Sequence, residues 1–331
     1  MSKVNWGVLS TAMIGQEQVI PAIQRSSNGE VVAIASRGEK AISVAEKLDI
    51  PTAYTSYEEL LADPNIDAVY IPLPNSLHKE WVLEAAKKGK HVLCEKTAGL
   101  DYDELKEMID ACVHHGVTFM EAFMYQFHPQ HAKVKELITS GAIGDVSFMR
   151  ASFSYLLTDE SNIRLDRSLG GGALYDIGCY TIHSICNILN DQPTDVYANA
   201  RIPEKFNVDT TVAGVLSFEN DIQASFDCSF DVTPRQTYQV VGSQGTIEVV
   251  GPYRPDANES GEGFIRVVKS NGETEEYSVA GDQYKLQVEH FVDSVIEKKQ
   301  PSYTNEKMLN HMKVMDAAFH SIETGKSIKL S

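Results

Sequence analysis

Val4-Asn5-Trp6-Gly7-Val8-Leu9-Ser10-Thr11-Ala12-Met13-Ile14-Gly15 reads as an apolar strand running into a turn of small residues and then a helix. The turn is a degenerate GxGxxG in which Ser10 and Ala12 stand where the first two glycines would be. Small residues at those places let the backbone of a helix N-terminus approach a pyrophosphate, as in a dinucleotide-binding turn. The same hexapeptide also suits an ordinary βα turn. Position strengthens the functional reading, because this is the first βα turn of the chain's first βαβ unit.

Outward from that turn, short apolar runs at Val4–Leu9, Val31–Ser36, Ala68–Leu73, His91–Cys94 and Val117–Met120 alternate with helix-period segments. Such alternation predicts right-handed βαβ units and a parallel sheet. Ser56 with Glu59 and Asp101 with Glu104 have capping-box spacing, and Gly89, Gly116 and Gly141 are placed as helix stops. After a helix at Pro129–Ser140 come alternating strands at Val146–Tyr155, Thr194–Ala200, Thr210–Phe218, Ile222–Phe230, Thr237–Gly242 and Thr246–Val249, read as antiparallel from their short turns. Helices over Gly172–Leu189, Tyr284–Lys298 and Asn305–Thr324 complete the pattern, and Pro252–Gly263 reads as a mobile loop. The expected architecture is α/β: a Rossmann parallel-sheet domain over 1–123, then an α+β domain over 124–331 built on a large, mostly antiparallel open-faced sheet. The C-terminal helix is expected to pack back on the Rossmann domain.

Candidate site residues gather at strand ends. The second strand ends in Ser36-Arg37-Gly38 with no acid at its tip. An acid there would bind ribose hydroxyls and repel a 2′-phosphate, so Ser36 as donor and Arg37 as cation favour NADP(H) over NAD(H), unless Arg37 is only a solvated loop cation. Pro72-Leu73-Pro74-Asn75 must leave the sheet, because proline cannot continue a ladder; with His78 it either lines the ligand edge or is a structural turn, with Asn75 as a cap and His78 on the surface. Glu95-Lys96-Thr97 puts a lysine at the same edge, where a cation can orient a ribose hydroxyl and stabilise a developing alkoxide or phenolate. In the second half, Gly170-Gly171-Gly172 opens a helix that places Asp176, Tyr180, His183 and Asn187 on one face. That face is either a solvated polar stripe or a site for proton chemistry; it carries no Lys, Arg or Glu.

Composition narrows the classes. With 29 Lys+Arg against 46 Asp+Glu in 331 residues, the formal charge is −17, which opposes nucleic acid and anionic membrane as partners. Five scattered cysteines without a CxxC pair read as reduced core thiols and point to the cytoplasm. No window approaches the roughly 18 apolar residues of a membrane span, and Met1–Trp6 holds no signal-like run. His128 with His131, and His114 beside His115, match no zinc pattern, so no metal is expected.

Trp6-Gly7-Val8 into Ile14-Gly15, Tyr70-Ile71-Pro72-Leu73-Pro74-Asn75 with His78, Lys90-His91-Val92-Leu93-Cys94-Glu95-Lys96, Glu121-Ala122-Phe123-Met124-Tyr125, and Leu169-Gly170-Gly171-Gly172-Ala173-Leu174 into Asp176-Ile177-Gly178 together resemble the Gfo/Idh/MocA oxidoreductase family along essentially the whole chain. Tyr180, where many relatives have His, points to the branch of dimeric dihydrodiol dehydrogenase and NADP-dependent D-xylose dehydrogenase. The resemblance implies that Lys96 and Tyr180 converge beside a nicotinamide, Lys96 favouring the phenolate and Tyr180 exchanging a proton with substrate oxygen as hydride moves. It implies that Asp176 orients substrate or tyrosine, that Arg164 and Tyr284 lie near the cofactor or the site wall, and that Glu95 belongs to the cofactor edge. A homodimer or higher homo-oligomer formed through the open sheet is implied as well. Thr97 replaces the usual proline and removes the ready cis-peptide candidate, and Gln126 stands where relatives carry Arg. The expected activity is hydride transfer between NADP(H) and the carbinol or carbonyl carbon of a sugar, cyclitol or vicinal diol, and the rival reading is a non-catalytic NADP-sensing regulator.

Overall fold

The computed structural model describes residues 3–258 and 260–330. Two compact units emerge, one of Met1–Met124 with Tyr284–Leu309, the other of Tyr125–Gln283 with Asn310–Ser331. This differs from a single cut after residue 123. The returning segment Tyr284–Leu309 joins the first unit because Phe291 packs on Trp6 at 5.2 Å, while Glu289 accepts from the Ser27 amide and hydroxyl and Asp293 accepts from Asn28. The closing helix Asn305–Thr324 contributes only its first residues, up to Leu309, to that unit.

In the first unit, β1 (Val4–Leu9), β2 (Gly29–Ala35), β3 (Thr52–Tyr54), β4 (Ala68–Ile71), β5 (His91–Cys94) and β6 (Phe119–Glu121) form a parallel sheet in the order β3-β2-β1-β4-β5-β6. Helices α1 (Ile20–Arg25), α2 (Lys40–Lys47), α3 (Tyr57–Ala62), α4 (Asn75–Lys87) and α5 (Tyr102–His114) connect them. Apart from the half-buried edge strand β3, the strands are nearly continuous runs of buried residues, as a sheet covered on both faces demands. The order reverses between β1 and β4, and adjacent loops leave the carboxyl edge in opposite directions there. Local chemistry agrees with the sequence. The Ser56 and Asp101 side chains accept from the amides of Glu59 and Glu104, and Gly89 and Gly116 take positive φ.

In the second unit, α6 (Pro129–Thr139) precedes β7 (Val146–Leu156), and α7 (Cys179–Leu189) leads into β8 (Pro193–Arg201), β9 (Thr211–Phe218), β10 (Gln223–Ser229), β11 (Asp231–Gly242), β12 (Gly245–Val250), β13 (Gly263–Lys269) and β14 (Thr274–Val279). With β15 (Ile328–Lys329) they form a sheet in the order β14-β13-β12-β11-β7-β10-β9-β8-β15. One pair departs from the antiparallel expectation: β10 runs parallel to β7. The chain leaves β7 on a long excursion through α7, β8 and β9, so β10 returns as the hairpin partner of β9 in β7's own direction. Strand β11 begins at Asp231 rather than Thr237, a register shift between Asp231 and Arg235 accommodating Pro234. Strands β13 and β14 were not anticipated. Edge strand β14 alternates between exposed and half-buried residues and shows no apolar period.

The stretch 252–263 is partly ordered by packing, with a 3₁₀ turn at Pro255–Ala257, a fully buried Tyr253 and a Gln283 amide donating to the Tyr253 carbonyl; Glu259 lies outside the described residues. All five cysteines are buried thiols outside any disulfide. Among the described residues no helix is long and apolar enough to cross a membrane.

Candidate active site

At the carboxyl edge of the first unit, Ser10 takes φ +118°, a conformation usually left to glycine. Its hydroxyl donates to the Pro72 carbonyl at 3.0 Å and accepts from the Ala12 amide at 3.2 Å, so the side chain that replaces glycine ties the β1 turn to the β4 loop. The Gln16 side chain closes the turn on the Thr11 carbonyl at 2.7 Å. Beyond Met13, which is exposed, and Ile14, the helix opens with a π-turn at Gly15–Val19. At the β2 tip, the buried Ser36 hydroxyl donates to the Gly38 carbonyl and accepts from the Ala41 amide. Arg37 is exposed and its charge and hydrogen bond lower the Tyr57 hydroxyl pKa, which burial raises more. Of the expected pair, Arg37 is therefore the accessible one.

The β4 loop follows neither structural alternative in full. Pro74, which has no side chain able to accept, takes the cap position of α4, and Asn75 is the helix's first residue. His78 is fully buried, with Nδ1 2.9 Å from the Thr97 carbonyl and Nε2 2.8 Å from that of Leu73. It fastens the β4 loop to the β5 loop. Both partners are acceptors, so a neutral ring donates to one of them at a time; burial lowers its pKa.

At the end of β5, Glu95 accepts from the Tyr70 hydroxyl at 2.6 Å, and Lys96 is half-buried. The Lys96–Thr97 peptide bond is cis although threonine replaces proline. Around it, the Thr97 carbonyl faces His78, and the Ala98 amide donates to Glu121 at 2.8 Å. The Tyr70 hydroxyl is held far above its ordinary pKa by burial, then by Glu95, with Tyr284 adding to the effect. Ser10, Leu73, His78, Glu95, Lys96 and Tyr284 thus belong to one edge of the first unit. Sequence reasoning overlooked Tyr70 and Glu121 as polar members of that edge. Both lie in quoted motifs, yet within apolar strands, where nothing marks which polar atom turns toward the loops.

In the second unit the expected helix over 172–189 opens instead with a π-turn at Leu174–Gly178 and continues as α7. Asp176 Oδ2 accepts from the Tyr155 hydroxyl and from Arg164 Nε, each at 2.8 Å. Arg164 is held more basic by Asp176, with Tyr155 and Tyr180 contributing. Tyr180 is 6% exposed, its ring 5.5–5.8 Å from those of Tyr125, Phe153 and Tyr253. His183 meets the Tyr125 hydroxyl through Nδ1, and Asn187 accepts from Lys135 at 2.9 Å. The polar face of this helix is therefore an internal network, not a solvated stripe. Gln126, in the place of an arginine, leaves Nε2 buried without a hydrogen-bond partner among the described residues.

The glycines before this helix are needed for close approach. A Cβ on Gly171 would stand 2.6 Å from the Arg164 carbonyl oxygen. One on Gly172, at φ +127°, would stand 2.5 Å from Asp209 Oδ1. The Asp209 carboxylate accepts from the Leu174 amide at 2.6 Å and its carbonyl from the Ala173 amide at 2.8 Å, which caps the helix carrying Asp176 and Tyr180.

Two predictions follow from this cap. Gly172→Ala combines a disfavoured φ with a clash and should destabilise the protein by about 2 kcal/mol or more in urea unfolding; an unchanged midpoint would refute the close approach. Burial pushes the Asp209 carboxyl up to about 6. A carboxyl raised on folding contributes its stability below its unfolded pKa near 3.8 and loses it as pH rises through about 6. Between about pH 4 and pH 7 the parent should lose on the order of 3 kcal/mol relative to Asp209→Asn. A constant gap between the two unfolding curves would show that Asp209 does not titrate in that window.

Residues 4–123 match the family described as "Oxidoreductase family, NAD-binding Rossmann fold", and residues 131–248 match the GFO/IDH/MocA C-terminal domain. D-xylose 1-dehydrogenase (NADP(+)) 2 of Haloferax volcanii is 40% identical over 327 residues, 98% of this chain and 99% of that one. Trans-1,2-dihydrobenzene-1,2-diol dehydrogenase of Xenopus laevis is 35% identical over 252 residues, 74% of each chain. A 3-ketoreductase from Actinomadura kijaniata, solved with NADP and TDP-benzene, superposes with a TM-score of 0.92 at 28% identity over 97% of this chain and 98% of that one. With matches running through both units, the chain belongs to the GFO/IDH/MocA family of oxidoreductases.

Proposed function

We propose that the protein transfers hydride between NADP(H) and the carbinol or carbonyl carbon of a sugar, cyclitol or related vicinal diol, with Tyr180 as general acid/base assisted by Lys96. The observation that carries this reading is Tyr180 itself: a phenol in an aromatic surround, on the helix whose preceding turn holds the Asp176–Arg164 pair. Support comes from the 40% identical relative, an NADP-linked xylose dehydrogenase, and from the diol dehydrogenase at 35%.

The first unit suits a phosphorylated dinucleotide: its turn of small residues opens a helix at the switch point, and the β2 tip offers an exposed Arg37 and no acid. Ser10, Thr11, Ala12, Met13 and Ile14 would hold the pyrophosphate and Arg37 the 2′-phosphate. Leu73, Asn75, Glu95 and Tyr284 would line the edge where the reactive ring is held, with the buried His78 fixing the loops behind it. The bound nicotinamide supplies or takes the hydride. Tyr180 donates a proton to the substrate oxygen in reduction and removes it in oxidation. Lys96 favours the phenolate electrostatically, and Asp176, already bonded to Arg164 and Tyr155, orients the tyrosine or the substrate hydroxyls. Exposed Tyr197, Val215, Val250, Phe264 and Val268 on the large sheet support association of copies into a homo-oligomer.

The first test is a fluorescence titration with NADPH and NADH, followed by turnover on aldoses, inositols and diols. Tight NADPH binding with turnover is expected, and binding without turnover on any of them would favour a cofactor-sensing role. Arg37→Ala should weaken NADPH binding about tenfold and leave NADH nearly unchanged; equal loss for both would remove Arg37 from the phosphate site. Tyr180→Phe should lower kcat at least about a hundredfold at unchanged NADPH affinity, whereas a loss under about tenfold would move the proton to His183 or to water.

A further inference from the structure

Glu121 is an acid with no access to solvent at the end of β6, in cross-strand register with Cys94 of β5. Immediately after Cys94 the chain enters Glu95-Lys96-Thr97-Ala98, the segment that presents Lys96. Beyond the Tyr70–Glu95 bond, contacts from elsewhere in the first unit hold the later part of this segment. His78 meets the Thr97 carbonyl, and Glu121 Oε1 receives the Ala98 amide at 2.8 Å. The second carboxylate oxygen, Oε2, receives the Tyr303 hydroxyl at 3.3 Å, and the Tyr303 ring lies edge-on to Phe123 at 5.9 Å. The Glu121 amide itself points to the Met308 sulfur at 3.3 Å.

We propose that Glu121 is a positioning residue for Lys96, fixing the backbone two residues beyond it by accepting the Ala98 amide, with Tyr303 orienting the carboxylate. The proposal rests on the reading of Lys96 as the group that assists Tyr180. Glu121 cannot touch substrate from its buried place, so it acts only through the loop. A buried acid is an expensive way to satisfy one amide, since burial, with Glu95 adding to it, raises its carboxyl to about 7 against the lowering effects of the Ala98 amide, Tyr303 and Lys96. Retaining an acceptor with two oxygens here makes sense where a single loop conformation matters. An apolar residue would leave both the Ala98 amide and the Tyr303 hydroxyl without this partner.

The test uses the full chain with Glu121→Met, which removes the acceptor at similar volume, and Glu121→Gln, which keeps an acceptor oxygen. Hydrogen exchange at the Ala98 amide, NADPH affinity and kcat are measured on each, with thermal unfolding to confirm folding. Glu121→Met should speed exchange at Ala98 about tenfold or more and lower kcat by at least about tenfold, with NADPH affinity within about threefold. Glu121→Gln should bring both exchange and kcat back to within about threefold of the parent. Unchanged exchange in Glu121→Met, fast exchange with parental kcat, or a folded Glu121→Gln as impaired as an acceptor-free variant would each overturn the proposal. If Glu121→Met does not fold, Glu121→Gln decides: a folded protein with parental exchange and kcat upholds the acceptor role, and a loss beyond about tenfold ends it. The exchange measurement needs no substrate, so a parent without turnover would refute the hydride-transfer reading while the Ala98 result still judged the positioning.

Discussion

The Ser10 hydroxyl, donating to the Pro72 carbonyl, joins the two loops that diverge where the parallel sheet reverses its order. Strands β1 and β4 are hydrogen-bonded neighbours, but their connections leave on opposite faces and open a cleft at the carboxyl edge. A glycine at position 10 would accept φ +118° at less cost yet provide no such tether. Serine trades backbone freedom for a bond across the cleft floor. The Pro72 and Leu73 backbone, fixed by Ser10 and His78, then sets where α4 begins.

Each unit also contains a buried carboxylate that accepts a backbone amide beside a proposed site residue. Glu121 binds the amide two residues after Lys96, and Asp209 binds that of Leu174, two residues before Asp176. Both carboxyls are raised by burial, so neither is an inexpensive source of stability. Their shared physical character is directionality. A carboxylate oxygen selects one amide position, whereas apolar packing tolerates small displacements of the chain.

Around Tyr180 the same principle operates with rings. Tyr125, Phe153 and Tyr253 confine the phenol from different elements, while Asp176 accepts from Arg164 and Tyr155 one turn earlier.

The succession of strands and helices in the first 120 residues was legible in the sequence, because apolar runs, capping residues and terminal glycines are local signals that act within a few residues. Strand ends and helical spacing also singled out Lys96, Asp176 and Tyr180 as candidates for chemistry. What lay beyond local pattern was partnership. The parallel entry of β10, the return of Tyr284–Leu309 to the first unit and the edge strand β14 all depend on contacts distant in the chain. Periodicity identified a polar face on the helix of Tyr180 but not whether water or protein covers it. His78, Tyr70 and Glu121 show the same limit: residue type establishes that each needs a hydrogen-bond partner, and only the tertiary structure decides which carbonyl, carboxylate or amide fulfils it, since those partners come from other strands and loops.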